Sequence, residues 1–108
     1  MIEILTIQLK PGTRDQFHQL YVGASVPLQQ KWKIDVVAHG PAENDPDVYY
    51  VIRRFKSLED RQQSEDAFYN SDDWQKGPRT TILALIQSIA TLVVDLKTFG
   101  EWTDSIKT

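Results

Sequence analysis

Three side chains in this sequence combine a reactive type with a setting that suits chemistry: Arg53, His39 and Tyr49. Arg53 stands in the run Val48-Tyr49-Tyr50-Val51-Ile52-Arg53-Arg54-Phe55, which apart from its two arginines is β-branched and aromatic. A guanidinium on such an apolar wall can grip a carboxylate or an enolate oxygen through two parallel N–H donors, and a low local dielectric strengthens that contact. The same residue would serve equally as the partner of Glu3 in an ion pair across a sheet or between protomers. His39 precedes Gly40-Pro41 at a strand end, where an imidazole titrating near neutrality could act as a general base at a cavity mouth or simply hydrogen-bond as an edge residue. Tyr49 and Tyr50 fall on opposite faces of one strand, so at most one lines a pocket; there its hydroxyl either donates to an oxyanion or only packs.

Other chemistries find little footing. The chain has no cysteine, which excludes disulfides, thiolate nucleophiles and cysteine metal sites. His18 and His39 are far apart in sequence and the carboxylates lack any recognised ligand spacing, so no metal is expected. Gly-rich phosphate loops and a Gly-x-Ser-x-Gly elbow are absent. His18 falls beside the apolar stripe of a helix, at its solvent border, and Arg61 pairs with Glu65 at helical spacing. The net charge of −3 is spread over interspersed signs, which argues against a nucleic-acid surface. No apolar run reaches membrane-spanning length, and the start lacks the pattern of a signal peptide, so the expectation is a cytoplasmic protein with no membrane partner.

The elements that must position these residues follow from pattern. With 108 residues, of which 41% are apolar, the chain suits a single domain, 1–108, ending in a polar tail over 97–108 that carries only Phe99, Trp102 and Ile106 as large apolar residues. Ile2 to Leu9 reads as a strand apolar on both faces and therefore central. After Lys10-Pro11-Gly12, Thr13 and Gln16 have the spacing of a capping box, and a helix follows on Phe17, Leu20, Tyr21, Ala24 and Leu28, kinked or ended by Pro27. Trp32 to His39 and Val48 to Phe55 read as strands joined in a hairpin by the turn residues of 42–47. Ser57 caps a helix toward Tyr69 with Leu58, Ala67 and Phe68 as its apolar members. Beyond Gly77-Pro78 another helix carries Ile82, Leu85, Ile86 and Ile89, and Ala90 to Leu96 forms the last strand.

Strand, helix, strand, strand, broken helix, strand is the order of a split βαβ, ferredoxin-like α+β domain with a four-stranded antiparallel sheet. Its helices cover one sheet face. The other face, still rich in aliphatics, needs a cover, and a second copy docked sheet to sheet is the simplest one, which makes a homodimer the expected state.

The segments Gly40-Pro41, Phe55-Lys56-Ser57-Leu58-Glu59-Asp60-Arg61 and Ser71-Asp72-Asp73-Trp74, together with Glu3 and Leu9-Lys10-Pro11-Gly12, resemble the NIPSNAP family of the dimeric α/β-barrel superfamily over roughly residues 3 to 96. The resemblance implies a homodimer whose paired sheets enclose cavities, with no dedicated metal or organic cofactor. It also implies that Glu3, Leu5 and Ile7 line a cavity, with Val51, Arg53 and Phe55 beside them, and that Trp74 caps a core or pocket wall. Leu5, Ile7, Val51 and Arg53 stand where family members often carry an Arg, a Tyr and a His-x-Trp, so no polar pocket is inherited there.

Two functions are therefore expected, and a third is weighed. One is a protein that binds or transforms a small organic metabolite between the sheets, of the monooxygenase or isomerase kind that uses no cofactor. The other is a non-catalytic structural homodimer with a dry apolar core. An RNA-recognition module shares the topology, but the acidic balance and the lack of its glycine-containing motif in Val48 to Phe55 oppose it.

Overall fold

A computed structural model describes residues 1–98, 100 and 101; Phe99, Trp102 and Ile106 of the tail lie outside the described residues. β1 (Ile2–Leu9) runs through the centre of a four-stranded sheet of order β2-β3-β1-β4, with β2 spanning Asp35–Pro41, β3 Val48–Arg54 and β4 Ile86–Val94. Every neighbouring pair is antiparallel. This is the α+β, ferredoxin-like arrangement expected from the order of elements. No helix among the described residues is long and apolar enough to cross a membrane.

The first helical run departs from expectation at both ends. Thr13 makes no capping bond; its hydroxyl donates instead to the Lys10 carbonyl at 2.7 Å, closing the turn that Gly12 enables with φ 77°. α1 (Arg14–Leu20) passes into a π turn (Tyr21–Ser25) and then α2 (Val26–Lys31), so Pro27 does not end the helix. The π turn is the distortion: the Val26 N–H reaches back five residues to Tyr21, just ahead of a proline that has no N–H to offer. Helix rather than strand continues to Trp32, because Lys33 adopts φ 60° and the Lys33 and Ile34 N–H groups bond the Gln30 and Gln29 carbonyls, the double closure of a Schellman end.

β2 therefore begins at Asp35, and its pairing with β3 shifts register between Val36 and Ala38. The bulge matters for His39. Strict alternation separates Val36 from His39, but the extra residue Val37 brings both onto the helix side of the sheet.

α3 (Leu58–Tyr69) is capped as expected, Ser57 accepting from the Asp60 N–H at 3.0 Å, yet Leu58 and Ala67 are exposed and only Phe68 of its apolar members is buried. α4 (Asp72–Gln75) and the short α5 (Arg79–Leu83) follow, and β4 starts at Ile86 rather than Ala90. The spacing of Ile82, Leu85, Ile86 and Ile89 suits a helix, but the free edge of β1 offers hydrogen bonds along its whole length, and pairing from Leu9–Ile86 to Ile2–Val94 takes them. The core packs between helices and sheet around Leu9, Phe17, Ile34, Tyr49, Val51 and Phe68.

Candidate functional site

Which face of the sheet the helices cover decides where a site can be. In the ladder Glu3 lies opposite Arg53, Leu5 opposite Val51 and Ile7 opposite Tyr49, so these residues share one face. That face packs under the chain's own helices: Glu3, Tyr49 and Val51 are 0% exposed and Arg53 is 2%. The expectation that Glu3, Leu5, Ile7, Val51, Arg53 and Phe55 line a cavity between two sheets is thereby corrected. The helices cover this phase because it carries the core, and the complementary phase, with Ile4, Ile52, Leu92 and the 36% exposed Tyr50, faces outward.

A cavity of about 140 Å³ lies between the sheet and the helices of the one chain. Leu5, Ile7, Trp74, Ile82, Ile86 and Ile89 supply its apolar wall, and Tyr21, Ser25, Gln29, Arg53 and Tyr69 its polar side. Of the residues expected in a pocket, Leu5, Ile7, Arg53 and Trp74 line it, while Glu3, Val51, Phe55, His39 and Tyr49 do not. Trp74 sits as a wall, as expected, with its ring edge-on to Tyr69 at 5.5 Å between centroids.

Two helical runs flank this polar side, each with three polar residues at four-residue spacing, Tyr21, Ser25 and Gln29 on one and Arg61, Glu65 and Tyr69 on the other, of which Arg61 and Glu65 lie behind the lining. Gln29 of the first and Glu65 and Tyr69 of the second meet Arg53. Its Nε donates to Glu3 at 2.7 Å, Nη1 to Gln29 at 3.0 Å and Tyr69 at 2.8 Å, and Nη2 meets Glu3 and Glu65, each at 2.6 Å. All five donors of the guanidinium are taken. Of the two roles open to Arg53, ion pairing with Glu3 is the one adopted, and no N–H is left to grip a substrate carboxylate. Arg61 closes the cluster, with Nε on Glu3 at 2.5 Å and Nη2 at 3.5 Å from Glu65, the i,i+4 contact expected of it.

Two carboxylates and two guanidinia balance formally, yet the carboxylates are not equivalent. Burial works against charge on Glu3, but hydrogen bonding with Glu65, the charge of Arg53 and hydrogen bonds from Arg61 and Arg53 outweigh it and hold its pKa low. Glu65 is pushed up to about 7, by desolvation first and by the neighbouring Glu3 second, against the pull of Arg53 and Arg61. Tyr21 rises to about 12 through burial, so it remains a proton donor across the physiological range.

Tyr49 and His39 form a second cluster, with a residue that sequence reasoning had set at the solvent border. The Tyr49 hydroxyl lies 2.8 Å from Nδ1 of His39 and 2.8 Å from Nδ1 of His18 on α1. The phenol has one proton to give, so at least one of the two imidazoles donates its Nδ1–H to the oxygen. Burial, with His18 adding to it, lowers the His39 pKa, and burial raises that of Tyr49. The rings of Tyr21 and Phe17, which line the cavity, also contact Tyr49, at 5.8 and 5.0 Å. Arg54 points to the opposite face, where it pairs with Asp35 at 2.7 Å.

Sequence reasoning missed Tyr21, Ser25, Gln29 and Tyr69 as site residues. Their signal is a polar residue recurring every fourth position along the face of a helix that also carries its apolar stripe.

An antiparallel four-stranded α+β domain with one helix-covered face and a cavity beneath the helices defines the class of protein. The chain belongs to the NIPSNAP family, whose profile matches residues 2–100. Solved structures agree on the fold. An uncharacterised NIPSNAP domain protein from Burkholderia xenovorans is 11% identical, with 88% of this chain and 94% of that one aligned at a TM-score of 0.76. A NIPSNAP family protein of unknown function from Agrobacterium tumefaciens is 21% identical over 86% and 84% of the two chains, with a TM-score of 0.78. An antibiotic biosynthesis monooxygenase aligns over 88% of this chain and 97% of its own at 15% identity and a TM-score of 0.65. No curated protein sequence matches significantly.

Proposed function

We propose that this protein binds a small, largely apolar organic metabolite in the cavity between its sheet and its helices. The observation that carries this reading is the lining: an apolar wall closed on one side by convergent polar groups is the usual build of a small-molecule site. Its volume of about 140 Å³ is close to that of engineered apolar cavities of about 150 Å³ that take up benzene, so one ring fits. Methyl NMR during titration with toluene tests the reading. Shifts concentrated at Leu5, Ile7, Ile82, Ile86 and Ile89, and lost in Ile86→Phe, support it; shifts elsewhere, or none, contradict it.

Transformation of the ligand by the cofactor-free monooxygenase or isomerase chemistry is the finer form of this reading. It draws on the likeness of fold to the antibiotic biosynthesis monooxygenase. The described lining residues carry hydroxyls, backed by an amide and by the saturated guanidinium of Arg53, and no carboxylate or imidazole, which favours binding or stabilisation of a developing oxyanion by the hydroxyls over proton abstraction.

A homodimer paired through the open sheet faces belongs to the same proposal. Ile4, Ile52 and Leu92 stand side by side on that face, and Leu92 is 57% exposed in the single chain, an apolar stripe that a second sheet would cover.

A further inference from the structure

Hydrogen-bond direction in the polar cluster can be followed outward from its one fixed point. Arginine has donors only, so the Gln29 oxygen that meets Arg53 Nη1 at 3.0 Å must accept. The orientation of the Gln29 amide is then set, and its Nε2 must donate, to the Tyr21 hydroxyl at 2.9 Å and the Ser25 hydroxyl at 3.1 Å. Arg53 Nη1 likewise donates to the Tyr69 hydroxyl at 2.8 Å. Each of the three oxygens is therefore an acceptor toward the cluster, and each keeps one proton directed elsewhere. All three residues line the cavity, and Tyr21 and Ser25 are only 6% and 3% exposed.

We infer that Tyr21, Ser25 and Tyr69 form a donor cradle, polarised by Arg53 through Gln29, that selects ligands presenting a hydrogen-bond-accepting oxygen, such as a carbonyl or an oxyanion attached to a small ring. This rests on the cavity being a binding site and names the ligand class it takes. A ligand without such an oxygen leaves buried hydroxyl protons unpaired, and a ligand bearing a donor meets donors, so both are disfavoured. Arg53 has a positioning role here: it fixes Gln29 and Tyr69, and its charge makes the hydroxyls better donors without touching the ligand.

Four probes of one ring size test this by calorimetry or methyl NMR: toluene, aniline, benzaldehyde and benzoate. The expected result is that benzaldehyde or benzoate binds about tenfold or more tightly than toluene and aniline. Benzaldehyde leading identifies a neutral carbonyl as the favoured form, and benzoate leading an anionic oxygen. In the Tyr21→Phe/Ser25→Ala double variant the preference is expected to fall to within about threefold while toluene affinity holds. The wild-type ratios stand by themselves if the double variant does not fold. Equal affinity of toluene, benzaldehyde and benzoate for the wild type overturns the cradle and leaves the cavity reading intact; failure of all four probes to bind overturns both.

Discussion

Arg53 shows how far one residue can organise a site without being reactive itself. It is buried with Glu3, and its five donors tie a strand to two helices. Arg53→Met should cost about 3–5 kcal/mol, because it leaves the buried Glu3 with Arg61 as its remaining cationic partner and strips Gln29, Glu65 and Tyr69 of theirs, whereas Glu3→Leu/Arg53→Met should recover part of that loss. Urea denaturation of the two variants measures the difference. Glu65 gives a pH signature. Its pKa rises on folding from 4.5 to about 7, so the folded state holds the proton more firmly and its contribution is complete below 4.5. That contribution is lost as pH rises through about 7, and a Glu65→Gln variant should show a flatter stability profile over the same window in thermal melts recorded against pH. The ion pair of Arg53 with Glu3 was open to view in the sequence, as an arginine on an apolar strand with a glutamate on the neighbouring one. The saturation of Arg53 was not, because three of its partners, Gln29, Glu65 and Tyr69, come from helices whose inward faces depend on tertiary packing.

At the scale of elements, the strands were legible because β-branched runs bounded by Gly, Pro and Asp leave little choice, and Ser57 marked its helix correctly. What failed did so for local and for long-range reasons. Lys33 in a left-handed conformation closes a helix that the run Trp32-Lys33-Ile34 disguises as strand. Since a side chain is disfavoured at φ 60°, Lys33→Gly should stabilise the protein by about 0.5–1 kcal/mol, read as a raised denaturation midpoint. Gly77 has the opposite constraint. A Cβ there would lie 2.2 Å from the Asp73 carbonyl oxygen, so Gly77→Ala should force the α4–α5 connection apart and destabilise by about 1–3 kcal/mol in the same assay. The start of β4 at Ile86 was hidden because isoleucines at helical spacing also satisfy a strand, and only the waiting edge of β1 decides between them. The Val37 bulge, which brings His39 to the side of Tyr49, has no signal in composition at all.

At the scale of the molecule, the sheet divides two functions between its faces. One phase builds the core, the ion cluster and the cavity; the other presents Ile4, Ile52 and Leu92 outward. The sequence made both phases apolar and so signalled that each must be covered, but it could not say which one the helices take. If the outward phase pairs with a second copy, Ile52→Lys/Leu92→Lys should shift the sedimentation coefficient to that of a monomer while leaving toluene binding within the chain. A dimer that survives both lysines would place the contact elsewhere.

Diffraction from crystals pressurised with xenon tests the intrachain cavity most directly, since xenon enters apolar cavities of this size without needing a polar handle. The expected result is one xenon peak in each chain among Leu5, Ile7, Trp74 and Ile86, absent in Ile86→Phe. Xenon found only between sheets of neighbouring copies, or no xenon at all, would contradict a ligand site beneath the helices.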